Sequence, residues 1–271
     1  MMYLSSVSTT SSLSHLSKLY ATSTKLSEGL ASGKKINRAA DDVANSAINE
    51  RMTKQINGLR QGSQNSKDGV AFLRVFEDSL SNMENMLQRM RELSLQSANG
   101  TYTDNDRVNL DNEFQSLDEE INRLSESTRY NGKAYLGSDN TTVDIMLSDD
   151  STDNISIDFK VVNTSTLFNG TTIDVLNQVN AQTTINAIDD AIEQVIDHKS
   201  TLGSYMERME TNIRELSNTS VNLSDARSRI ADLDMAHTIS EYTKNEILTS
   251  STISMLNKAN QTPSTLLKLI N

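Results

Sequence analysis

The chain has 271 residues, 36% of them hydrophobic and 4% aromatic, with no Trp, no Cys, one Pro and a net charge of −11. The lack of Cys excludes disulfides, thiolate nucleophiles and thiolate metal sites, and the acidic balance argues against nucleic acid and anionic membranes, which recruit clustered Lys and Arg. So low an apolar share excludes a wide round core and suits long narrow helices that bury one stripe and leave the rest wet.

The first thirty or so residues carry Leu13, Leu16, Leu19, Leu26 and Leu30 at steps of three, four and seven, which predicts a helix with one apolar stripe. The same stretch is rich in Ser and Thr and has neither a basic start nor a continuous apolar core, so a cleavable signal peptide is not expected. No segment anywhere approaches the eighteen or so apolar residues of a membrane-spanning helix. Gly33 to Asp42 is a mixed-charge junction containing Ile36, Asn37, Asp41 and Asp42, the last two being acidic residues favoured at a helix start.

One helix is then predicted from about Asp42 to Ala98, where Ile48, Met52, Ile56 and Leu59 lead into a heptad seam at Leu73, Phe76, Leu80, Met83, Leu87 and Met90. Gly58, Gly62 and Gly69 fall on this helix and read as places where a neighbour packs closely. Asn99-Gly100 is a turn signal, after which Asp104 or Asn105 is expected to cap a second helix carrying Leu110, Phe114, Leu117, Ile121 and Leu124 and ending at Asn131-Gly132.

Between Tyr130 and Asn177 the period changes to two. Val143, Ile145 and Leu147, then Ile155, Ile157, Phe159 and Val161, alternate with other residues across a polar tip at Ser148 to Asn154, which predicts a β-hairpin. From about Gln182 the heptad returns at Ile185, Ile188, Ile192, Val195, Leu202, Met206, Met209, Ile213, Leu216, Leu223 and Ile230, with Lys199, Ser220 and Arg227 at the remaining seam positions. This third long helix runs to about Arg229. A second charged junction, Asp225 to Asp234, contains Arg227, Arg229 and Asp232; it stands at the mirror position of the first, and together they suggest a shared hinge. A fourth helix to about Leu269 carries Ile253, Leu256, Leu266, Leu267 and Ile270.

The expected fold is therefore mainly α: an elongated helical bundle and a terminal coiled coil with one small β-hairpin region at 130–177. The expected domains are 1–41 with 232–271, and 42–231. A leucine-sized group left in water forgoes roughly 1.5–3 kcal/mol, so the two terminal stripes are expected to bury against each other or against copies of the chain.

Little points to chemistry. His15, His198 and His237 are far apart and lack metal-ligand spacing, no phosphate-binding or nucleophile motif occurs, and neighbouring acids such as Asp189-Asp190 point about 100° apart on a helix. No catalytic residue, cofactor or metal is expected, and the chain is not read as an enzyme.

The chain resembles bacterial flagellin. The resemblance runs through Leu26 to Gly33, Ile36-Asn37, Ala40-Asp41-Asp42, Asn65 to Gly69, Leu87 to Ser97 and Tyr130-Asn131-Gly132. It resumes at Ala226 to Asp232, Ala259-Asn260-Gln261, Pro263 and the Leu-rich end. It implies a short flagellin, with paired termini forming an inner domain (D0) and the bundle with its hairpin forming the next (D1), that polymerises into an extracellular filament used for motility. The terminal leucine and isoleucine residues would then line the polymer core, and the charged junctions would be the D0–D1 hinge. The resemblance further implies export through the flagellar type III channel, a chaperone on the C-terminal helix, and contact with hook-associated and cap proteins. It also makes Toll-like receptor 5 a candidate partner, at positions matching Gln88, Arg89, Leu93, Gln96 and Glu113. A hook-filament junction protein and a non-flagellar coiled-coil tether are the alternatives that the same patterns allow.

Overall fold

The computed structural model describes the backbone of residues 2–137, 141–148, 152–170 and 173–270, and the side chains of 10–137, 141–148, 152–170, 173–259 and 261. The fold is mainly α. In chain order its elements are α1 (Met2–Ser32), α2 (Val43–Ser97), α3 (Asp104–Ser127), the short strands β1 (Arg129–Tyr130) and β2 (Lys133–Ala134), β3 (Thr141–Met146), β4 (Asn154–Phe159), the short α4 (Thr164–Leu167), α5 (Gln178–Ala231) and α6 (Met235–Ile270). The chain divides into two compact units, residues 57–220 and residues 1–56 with 221–271.

Within residues 57–220 the heptad seam of α2 is the core: Leu73, Phe76, Leu80, Met83, Leu87, Met90 and Leu93 are all fully buried. Phe114 and Ile121 face it from α3, and the α5 residues Ile188, Val195, Leu202, Met209 and Leu216, seven apart, are buried. On α5, Ile185, Ile192, Met206 and Ile213 lie one step round the helix and are half-buried. Lys199, at a seam position, is held by Glu84 of α2 at 2.6 Å.

The hairpin pairs β3 with β4 in antiparallel register, from Thr141 opposite Phe159 to Met146 opposite Asn154. Ile155, Ile157 and Phe159 point inward, as alternation demands. What seats the hairpin is a stripe of small residues on α2, Gly62, Ser66 and Gly69, spaced one turn apart. A Cβ on Gly62 would run into the Leu147 carbonyl, and one on Gly69 would lie 2.7 Å from Ile145 Cδ1 and 2.8 Å from Met209 Sδ. Ser66 is fully buried and donates to the Gly62 carbonyl at 2.9 Å. Below the hairpin, Phe72 meets Phe76, Tyr130, Tyr135 and Phe159 edge to face, with ring centroids 4.9 to 5.4 Å apart.

Three boundaries differ from the sequence expectation. The cap of α3 is Thr103, not Asp104 or Asn105: its hydroxyl accepts from the Asp106 amide while the Asp106 carboxylate accepts from the Thr103 amide, completing a capping box. The same helix stops at Ser127, because Asn131 and Gly132, at φ +49° and +81°, form the two-residue turn of a second hairpin, β1 with β2. Asn163 caps α4, a single turn that no periodicity announces. The chain reversal between α2 and α3 is fixed by Arg107, buried to 7% exposure, whose guanidinium donates to the carbonyls of Ser97 at 3.0 Å and Asn99 at 3.1 Å. The Ser97 carbonyl is one that the end of α2 leaves without an intrahelical partner, and Asn99 belongs to the turn that follows.

Overpacking a site with no free space costs about 1–3 kcal/mol, so Gly62→Val should lower the urea midpoint by a corresponding amount. Gly203→Ala, where nothing lies within 4 Å, should raise stability by about 0.5–1 kcal/mol. Equilibrium unfolding of the two variants beside the parent checks both signs.

Candidate assembly interface

In the unit built from the chain's two ends, α1 and α6 pack antiparallel. The ends that meet are joined by backbone: Lys35 N donates to Ala231 O at 2.8 Å, Leu233 N donates to Gly33 O at 3.0 Å, and Lys34 and Asp232 form an antiparallel bridge. Gly33 takes φ +68°, the left-handed conformation favoured where a helix ends. Leu233 covers Gly29, where a Cβ would lie 3.4 Å from Leu233 Cδ2.

Along α1 the covered residues Ser12, Leu16, Leu19, Ser23, Leu26 and Leu30 form a heptad seam in steps of four and three. Leu13 falls beside this seam and is 57% exposed. Along α6 the matching series is Thr238, Tyr242, Asn245, Thr249, Thr252, Leu256 and Ala259, in the same steps. It is mostly polar. Thr238 and Asn245 are buried, and the Asn245 amide donates across the pair to Leu19 O at 2.9 Å.

Among the described residues outside the seam of α6, five large apolar ones meanwhile face outward: Ile239, Ile247, Leu248 and Met255 are 51%, 64%, 43% and 69% exposed, and Ile253 is 38% exposed. Thus Leu16, Leu26, Leu30 and Leu256 of the expected stripe lie on the pair's seam, whereas Leu13 and Ile253 lie outside it. The side chains of Leu266, Leu267 and Ile270 are outside the described residues. The polar half of the seam escapes a reading that seeks periodicity in apolar letters, because Thr238, Asn245, Thr249 and Thr252 carry the heptad spacing in polar ones.

Both charged junctions lie in this unit, and the backbone bonds between residues 33–35 and 231–233 bring them together. Asp41 accepts from the amides of Asn37 and Arg38 at 3.3 and 3.1 Å and pairs with Lys25 at 3.1 Å. Asp42 accepts from the Asn45 amide at 3.0 Å and from its side chain at 2.7 Å, which caps the start of α2. The Asp41 carboxyl is held below its ordinary value by the Lys25 hydrogen bond and the Arg38 amide, and that of Asp42 by the Asn45 amide and side chain. Asp232 accepts from Ser228 at 2.6 Å. Ile36 and Asn37 are half-buried, Arg227 is half-buried and Arg229 is exposed.

Among residues 57–220, Arg89 donates from Nε and Nη2 to Glu113 at 2.9 and 2.8 Å and from Nη1 to Glu92 at 2.9 Å. Its pKa is raised, first by the Glu113 hydrogen bond and then by that of Glu92. Gln88 is exposed, and Gln96 is exposed and donates to Tyr102 Oη at 2.8 Å. Leu93 is fully buried in the core, so the solvent-facing part of this set is Gln88, Arg89, Gln96 and Glu113. His198 is half-buried, its pKa lowered by burial and by Lys160. Among the described residues no group of three His, Cys, Asp or Glu side chains could hold a metal, and no helix is long and apolar enough to cross a membrane.

Comparison with known proteins gives a consistent answer. Residues 4–141 match the bacterial flagellin N-terminal helical region, and residues 185–270 match the bacterial flagellin C-terminal helical region. A flagellin of Halalkalibacterium halodurans is 40% identical over 247 residues, covering 91% of each chain. The crystal structure of a Bacillus cereus flagellin is 32% identical with a TM-score of 0.51, covering 60% of this chain and 94% of that one. A structure described as a putative flagellar hook-associated protein from Vibrio parahaemolyticus superposes with a TM-score of 0.60, covering 71% of this chain and 100% of that one; at 16% identity the likeness concerns the fold alone.

The lowered carboxyl values at the junction set a pH dependence. A group whose folded pKa lies below the usual 3.8 contributes stability that is complete above that value and is lost as pH falls through the folded pKa. Asn caps a helix about as well as Asp, so the Asp41→Asn/Asp42→Asn variant should keep most of its stability at pH 7 and lose less than the parent on going to pH 3. Thermal melts followed by circular dichroism at both pH values measure this, and identical losses would refute the role given to the pair.

Proposed function

The chain belongs to the bacterial flagellin family and is a structural subunit of the flagellar filament, and we propose that it polymerises through the outward apolar face of its terminal helices. The observation that carries this is the inverted arrangement of α6, with Thr238 and Asn245 buried against α1 while Ile239, Ile247, Leu248 and Met255 stand in water. An exposed apolar surface of this kind marks a contact site. Supplied by neighbouring copies, the cover turns each subunit's unburied surface into the driving force for growth, and contacts that repeat without closing build an open helix. In this reading Leu13 and Ile253 serve copies, together with Leu266, Leu267 and Ile270, while Leu16, Leu26, Leu30 and Leu256 serve the pair itself.

Residues 1–41 with 232–271 form D0 and residues 42–231 form D1, and Ile36, Asn37, Asp41, Asp42, Arg227, Arg229 and Asp232 make up the hinge between them. A chaperone covers the exposed face of α6 before export, and hook-associated and cap proteins meet the subunit at the ends of the filament. The role is structural, without catalysis or cofactor. A hook-filament junction role shares the fold, and the 40% identity to a flagellin over 91% of both chains favours the filament subunit. A free tether is disfavoured by the same identity.

The exposed ionic cluster of Arg89 with Glu113, flanked by Gln88 and Gln96, is the surface we assign to Toll-like receptor 5, with buried Leu93 setting the shape beneath it. Central arginines at interfaces carry a large share of binding energy, so Arg89→Ala should weaken receptor-driven reporter signalling about tenfold or more. Signalling unchanged by this variant removes the assignment.

For assembly, Ile247→Asp and Met255→Asp should leave the free subunit as helical and as stable as the parent, because both positions are exposed. Polymerisation should fail, since a carboxylate forced into an apolar contact costs several kcal/mol. Sedimentation and electron microscopy decide it, and parent-like filaments from either variant would overturn the proposal.

A further inference from the structure

The charge of −11 is unevenly placed. Residues 57–220 hold 13 Lys and Arg against 27 Asp and Glu, a net of −14, whereas residues 1–56 with 221–271 hold 12 against 9, a net of +3. Each copy therefore offers an acidic unit and a basic one, and two copies attract when the acidic unit of one meets the basic unit of the other.

The acidic unit has a receiving surface. A groove of about 460 Å³ opens between α2 and the two hairpins. Its floor is apolar, with Phe72, Tyr135, Tyr130 (38% exposed) and Met146 (43% exposed), and Asp68 and Asp144 stand on its rim. Each of these carboxylates accepts a hydrogen bond from a neutral neighbour, Gln64 at 2.9 Å and Ser156 at 2.6 Å respectively. Among the described residues neither pairs with a cation. Lys133 Nζ lies 5.1 Å from the Tyr135 ring centroid, a cation–π contact made within the chain. In the basic unit, Arg51 and Lys54 are exposed, one turn apart on α2, and without an ion-pair partner among the described residues. Their aliphatic stems suit an apolar floor and their charges suit an acidic rim.

Resting on the filament reading, we propose that this groove receives the Arg51–Lys54 turn of α2 from a second copy, a head-to-tail contact in which Asp68 and Asp144 face the two cations over the aromatic floor. The contact is heterologous: one copy's groove is filled while its own Arg51 and Lys54 enter the next. It selects axial order by charge, whereas the apolar faces of α1 and α6 supply the bulk of the burial.

The test is charge reversal in the full chain. Asp68→Lys/Asp144→Lys and, separately, Arg51→Glu/Lys54→Glu should each raise the critical concentration for polymerisation about tenfold or more. The variant carrying all four changes, and an equimolar mixture of the two double variants, should return it to within about threefold of the parent. Double variants that polymerise like the parent, or impaired ones that neither combination rescues, overturn the contact. A parent chain that forms no filament would instead remove the filament reading. Because the chain contains no Cys, a second measurement is available that does not depend on charge. The Arg51→Cys/Met146→Cys variant, polymerised and then oxidised, should give a ladder of covalent multimers on denaturing gels, and oxidised filaments that stay monomeric on the gel refute the docking.

Discussion

A heptad seam buries a narrow stripe of each helix, and that limit governs the whole molecule. Where a third helix and a sheet are at hand, the stripe can be closed on all sides. Residues 57–220 do this: α2 presents seven fully buried residues, α3 and α5 cover them, and the hairpin lies over what remains. Where two helices are alone, one seam is all they can close. The α1–α6 pair reaches that limit, and Ile239, Ile247, Leu248 and Met255 of α6 remain outside. The same rule thus closes the core of one unit and leaves apolar side chains uncovered on the other.

The seam of the terminal pair is also selective. A polar residue in a coiled-coil interface lowers stability and fixes register, and Asn245, donating to a carbonyl of α1, is such a residue. Leaving that buried amide without an acceptor would cost about 1–3 kcal/mol. A pair held chiefly by leucines on both sides would have several acceptable registers and little apolar surface left over. Asn245 therefore serves alignment, and the polar seam leaves Ile239 and Ile247 exposed.

How much of this the sequence discloses depends on which signal carries each feature. The α2 seam from Leu73 to Met90 was legible because apolar letters repeat at the helical period, and the hairpin because Ile155, Ile157 and Phe159 alternate. The close approach at Gly62 and Gly69 was legible because glycine on a long helix is costly unless something fills its place. Other features had signals that local reading misassigned. Asn131-Gly132 reads equally as a helix end or a hairpin turn, and only pairing of Arg129 with Ala134 decides it. Thr103 outcompetes the neighbouring acids because its capping box satisfies two amides at once. Leu13 and Ile253 match the count of a stripe and sit beside the seam, since steps of three and four admit two adjacent tracks and tertiary contact chooses between them. The contrasting charge of the two units became visible only when residues distant in sequence were grouped in space.

The carboxylates of the first charged junction carry a consequence for how the molecule meets acid. Asp41 ties Lys25 of α1 to the turn at Asn37 and Arg38, and Asp42 holds the start of α2 through Asn45. Both surrender part of their hold as protons accumulate. Acidity thereby slackens the link that follows α1, and a return to neutrality tightens it.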